Sequence, residues 1–182
     1  MGPDRYPSSC MKGYCVFLDL ILFALALAAF SGVPGLGVSR FSVWGERLAA
    51  GLMVLAAVAG AAGASAGFCG GEVRLSFFPW PAVGHGAVGL DSLSAFFLLP
   101  VFLMGGLGPI YGLCYWPQRR HPANGRKLRL FWGLMVAGMV LLIISRHALI
   151  FLLGWEFMAL SAFFSLPPRI IMPKVVGRDG SI

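Results

Sequence analysis

One carboxylate stands where a carboxylate is costly. Glu156 lies near the middle of the apolar run ALIFLLGWEFMALSAFF. At the centre of a bilayer a charged side chain costs about 2.5–3.5 kcal/mol on insertion scales, so such residues usually face a protein interior and act there. Desolvation disfavours the charged form and moves a glutamate from its reference value of about 4.3 toward neutral pH. A group in that range can both take up and release a proton. The structural reading of the same residue is a neutral, hydrogen-bonded glutamate. At helical spacing Glu156 shares a face with Leu152, Ala159, Leu160 and Phe163. The small residues Gly154, Ala159, Ser161 and Ala162 suit close helix approach.

Other polar residues read more simply. Asp91 opens GLDSLSAFF, and an Asp followed by Ser fits a helix N-cap, where the helix dipole also favours an anion. Asp19 sits near the start of an apolar run, at an interface. His85, His121 and His147 lie in loops or turns, and a solvated or interfacial place fits each. Cys10, Cys15, Cys69 and Cys114 have neither CxxC nor metal-ligand spacing, so they read as small packing residues. No Walker A, GxSxG, HExxH or GxGxxG motif is present. We therefore expect no cofactor, no metal and no catalytic centre in this chain.

The elements that must hold Glu156 follow from composition. Of 182 residues, 58% are hydrophobic and 12% charged, with mean hydropathy +0.83. Soluble domains carry about twice that charge, so lipid is the surface this chain suits. The net charge of +7 does not indicate nucleic acid, because the cations lie between apolar runs and not along one face. A spanning helix needs about 20 apolar residues. Continuous apolar runs at 14–35, 48–69, 93–116, 130–145 and 148–166 predict an all-α integral membrane protein of about five transmembrane helices. Pro100 and Pro109 predict a bend in the third. Arg129 and Arg146 bracket the fourth, where long side chains snorkel. Only Arg146 and His147 separate the fourth and fifth runs, which predicts a hairpin. The 72–78 segment suits a short strand, and the Pro and Gly after it read as turns.

Charge sets orientation. With five spans, one side holds Arg40, Arg47, Arg119, Arg120, Arg126, Lys127, Arg129, Arg169, Lys174 and Arg178; the other holds Arg5, Lys12, Arg74 and Arg146. The excess belongs in the cytoplasm, so the N-terminus is expected outside and the C-terminus inside. Residues 1–13 read as an N-terminal extension, with Met11 an alternative start. The first run also has signal-peptide features, although Asp19 is unusual in an h-region.

Residues SRHALIFLLGWEFMALSAFF and the earlier GLDSLSAFFLL resemble the antiporter-like membrane subunits of respiratory complex I and membrane-bound hydrogenases. The wording is most similar to hydrogenase-4 component B and the matching formate hydrogenlyase subunit. The resemblance covers about 91–164 well and 14–90 by pattern. It implies proton translocation coupled to redox chemistry in partner subunits of the same inner-membrane assembly, with Glu156 as the proton-pathway residue. The family pairs that glutamate with a lysine on a later, broken helix. Here Lys12, Lys127 and Lys174 all read as lying outside the apolar runs. The tail at 167–182 departs from the family, and the resemblance implies an N-terminal fragment of such a subunit over 14–166. The alternative expectation is a truncated, non-transporting membrane remnant or scaffold.

Overall fold

In an apolar run with no water to bond the backbone, each N–H and C=O must find its partner inside the segment, which a helix achieves. The computed structural model of the chain describes residues 8–34, 43–68, 73–80, 84–115 and 125–165. Its elements in order are α1 (Ser8–Phe30), α2 (Val43–Gly67), β1 (Val73–Trp80), β2 (Gly84–Leu90), α3 (Ser92–Tyr115), α4 (Gly125–Ile144) and α5 (Ala148–Ser165). Among the described residues, four stretches are long and apolar enough to cross a membrane: Trp44–Gly67, Ser92–Tyr115, Gly125–Ile144 and Ala148–Ser165. The described apolar part of α1, Val16–Phe30, is shorter.

Three expectations change. α1 begins at Ser8, inside the segment read as an extension. α4 begins at Gly125, so Arg126, Lys127 and Arg129 occupy its first turns and not a loop. A two-stranded antiparallel sheet also joins the helices. β1 matches the expected strand, but β2 falls on residues expected to turn. Its glycines lack strand propensity, yet Val88 and Leu90 alternate into the core, and burial decides the pairing. The register shifts between Phe77 and Pro79, where a proline cannot donate to the ladder. α3 runs unbroken through Pro100 and Pro109.

The helices close a ring. α1 packs on α2, α2 on α3, α3 on α4, and α4 back on α1. Leu18 and Ile21 of α1, Met53 and Ala56 of α2, Leu98 and Phe102 of α3, and Val136 and Val140 of α4 fill its centre. Glycine permits the close approaches: a Cβ at Gly60 would overlap the Phe102 ring. α5 lies outside this ring. It packs on α4, with a small contact to β2, and only Ile150 of α5 packs against the core.

Candidate functional site

α5 presents Glu156 away from the other described helices. The helix starts in a tight turn, where the Phe151 amide donates to the His147 carbonyl at 3.0 Å and the Leu149 amide to His147 Nδ1 at 3.3 Å. Gly154 and Ser161 are its buried residues. A Cβ at Gly154 would stand 3.0 Å from the Leu142 amide nitrogen, and one at Gly138 would stand 2.9 Å from the Met158 amide nitrogen. The α4–α5 hairpin therefore packs backbone against backbone, as the short link implied. Glu156 lies two residues beyond Gly154, about 200° round a helix of 3.6 residues per turn. It is exposed, together with Leu152, Ala159, Leu160 and Phe163. The shared face read from spacing is thus one uncovered stripe. Among the described residues none covers Glu156, and none makes a hydrogen bond or ion pair with it.

Just beyond the C-terminal end of α4 lies a polar clasp. Asp91 caps α3: its Oδ1 accepts from the Ser94 amide at 3.0 Å, and its carbonyl accepts from the Ala95 amide at 2.9 Å. The same oxygen takes a hydrogen bond from Arg146 Nη2 at 2.7 Å. Arg146 also donates to Ser94 Oγ at 3.0 Å, and its amide donates to Ala87 of β2 at 2.9 Å. One arginine thus ties the hairpin, the start of α3 and the α4–α5 turn. Hydrogen bonding by Ser94, with the charge of Arg146, holds the Asp91 carboxyl below its usual range against a smaller opposing effect of burial. The cap was legible in sequence; Arg146 was expected to snorkel and instead has a partner.

Near the N-terminal end of α4 the arrangement is drier. Arg129 pairs with Glu46 of α2, and Glu46 is only 4% exposed. Arg129 borders a cavity of about 310 Å³ between α2, α3 and α4, lined mainly by apolar groups including Met53, Pro109, Tyr111 and Trp132. Trp132 donates its Nε1 hydrogen to the Gly105 carbonyl at 3.3 Å. Sequence reasoning passed over Glu46. The signal was available: in alternating spans the starts of the second and fourth runs share a side, so an acid and a base there can meet. The same parity pairs the start of the third run with the end of the fourth.

The remaining candidates stay apart. Asp19 is exposed on α1, Cys114 is a free exposed thiol on α3, and His85 lies on β2. His121, the basic segment at 116–124 and the tail from residue 166 lie outside the described residues. Lys127 is on α4 after all, but exposed in its first turn and far from mid-helix. Among the described residues no group of three or more His, Cys, Asp or Glu side chains could hold a metal ion. No protein-family model matches the chain, and no curated protein matches it.

Proposed function

We propose that the chain is a multi-pass protein of the inner membrane, with five spans and its N-terminus outside. It serves as the N-terminal helical part of a proton-translocating subunit in a redox complex of hydrogenase-4 or complex-I type. Glu156 is the proton-exchanging residue, and other membrane subunits or helices complete its site. One observation carries this reading: a carboxylate sits at the middle of an 18-residue apolar helix, on the stripe this chain leaves bare. In lipid such a group must be neutral, paired or water-connected. A neighbouring helix with a base or a water path, laid on that stripe, makes it able to alternate. The sequence resemblance supplies the type of complex.

The test is Glu156→Gln in the assembled complex, which keeps size and hydrogen bonding but removes titration. The complex should remain intact while proton uptake into vesicles is abolished. Unchanged pumping would make Glu156 structural. Orientation is tested separately by cysteine labelling at positions 120 and 84 in intact cells. Position 84 should react from outside and position 120 should not.

A non-transporting scaffold is the second reading. It is favoured by the position of Lys127: among the described residues no lysine lies deep in a helix to pair with Glu156. A complex that pumps normally without this chain would favour the scaffold.

A further inference from the structure

Pro109 leaves one carbonyl of α3 without its usual donor. A proline has no backbone N–H, and its ring crowds the carbonyl four residues earlier. Here that carbonyl belongs to Gly105. The Trp132 indole of α4 takes the missing place, donating its Nε1 hydrogen to the Gly105 oxygen at 3.3 Å. The indole reaches α3 because Gly108 has no side chain, and a Cβ there would overlap the Trp132 ring.

Beyond this contact α3 is loosely held. The last of its buried residues is Gly106. Residues 105–112 include four glycines and a proline, the types that hold a helix least well. One face of this stretch lines the cavity of about 310 Å³, where Gly108, Pro109 and Gly112 share the lining with Ala49, Ala50 and Met53 of α2. A Cβ at Gly112 would meet nothing within 4 Å. Atoms that line a void forgo the dispersion contacts that packing supplies. Filling the cavity therefore favours an inward swing of the end of α3, and the indole bond opposes it. Sharp helix bends fall at prolines and at pairs of small residues, and Gly105, Gly106 and Pro109 supply both. Pro109 has already removed one of the backbone bonds that a bend would break, so bending costs less here than at an ordinary residue.

We infer that residues 109–115 form an arm, hinged at 105–109 and latched by Trp132, that closes over the cavity between α2, α3 and α4 when the indole bond is released. The latched arm keeps the cavity open, and the released arm fills it. One hydrogen bond stands against a set of packing contacts, and packed helices balanced in this way shift between discrete arrangements. The inference rests on how α3 meets α2 and α4, and not on any role of Glu156.

Disulfide trapping across the cavity tests it, in the full chain held in nanodiscs with its four native cysteines replaced by serine. Gly112→Cys and Ala49→Cys place one thiol on the arm and one on α2. The open space around the Gly112 Cβ position keeps the pair beyond a disulfide's usual Cβ spacing of about 3.8 Å, so the bond forms only when the arm swings in. With copper phenanthroline as oxidant, Trp132→Phe should raise the rate of cross-linking about fivefold, the population change expected from losing one hydrogen bond. Pro109→Ala restores the backbone donor to Gly105 and should slow cross-linking. On that background Trp132→Phe should change the rate less than about twofold, because the carbonyl no longer depends on the indole. A rate that Trp132→Phe leaves unchanged in a folded protein overturns the latch, and so does an equal effect of Trp132→Phe with and without Pro109→Ala. If Trp132→Phe fails to fold, Pro109→Ala decides alone: unchanged cross-linking overturns the hinge. Absence of the cross-link in every variant overturns the closure itself.

Discussion

At one end of α4 Arg129 meets Glu46 with the carboxylate almost fully enclosed; just past the other end Arg146 meets Asp91, whose side chain is 37% exposed. The two arginines are 17 residues apart, or about 26 Å along a helix rising 1.5 Å per residue. That is close to the hydrocarbon thickness of a bilayer, about 30 Å. Similar ion pairs in different surroundings do different work. A buried pair adds little over a well-packed apolar replacement, but it is costly to break, because one charge is left without water. An exposed pair is worth about 0–1 kcal/mol. The Asp91 pair matters mainly through what it organises: a helix cap, a strand and a turn. The Glu46 pair fixes how α2 and α4 meet, beside a cavity.

The largest effect is expected at the buried end. Arg129→Ala removes the cation that faces the enclosed Glu46 carboxylate, and should lower stability by about 3–5 kcal/mol. Denaturation of the detergent-solubilised protein, followed by circular dichroism, reads this directly. The double substitution Glu46→Gln with Arg129→Met should recover most of the loss, since neither charge then remains. If the single variant melts as the wild type does, water reaches Glu46 and the contrast between the ends disappears. Next comes the α4–α5 hairpin. Gly138→Val puts a branched side chain against the Met158 amide and the Gly154 carbonyl, and overpacking of this kind costs about 1–3 kcal/mol. The cost should fall on α5 alone: amide exchange in 148–165 should rise while the ring of α1–α4 stays protected. Uniform loss of protection would show that α5 belongs to the core.

What the sequence could tell followed from how local each feature is. The runs were legible because apolar residues without charge specify spanning helices by themselves. The Asp91 cap was legible for a similar reason, since the acceptor and the donor of Ser94 lie three residues apart. β2 was not, because glycine and alanine resemble turn residues until Val88 and Leu90 find a core to enter. The start of α4 was misplaced because cations at a helix N-terminus contradict the usual rule. The partner of Arg129 lies 83 residues away, and only the way the helices pack back on one another brings the two together. Glu156 was legible as an unusual residue. Its face could be counted, but whether the chain would cover that face depended on which side of α5 met α4, and Gly154 decided that.

The smallest effect belongs to the exposed clasp, and acid sharpens the comparison there. Asp91→Ala removes the cap and should cost about 1 kcal/mol, with little further loss when Arg146→Gln is added, because the two share one oxygen. The pH dependence has a definite sign. The Asp91 carboxyl titrates lower in the folded chain than its ordinary value of 3.8, through hydrogen bonds from Ser94 and the charge of Arg146. A depressed folded value stabilises the fold above the unfolded value, and the contribution is lost as pH falls through the folded one. The wild type should therefore lose a small increment of melting temperature below about pH 3.8, and Asp91→Ala should lack that increment. Because the carboxylate is over one third exposed, solvent and salt screen it, so the difference between the two proteins should shrink at high ionic strength. A difference that persists unchanged in salt would place Asp91 in surroundings as dry as those of Glu46.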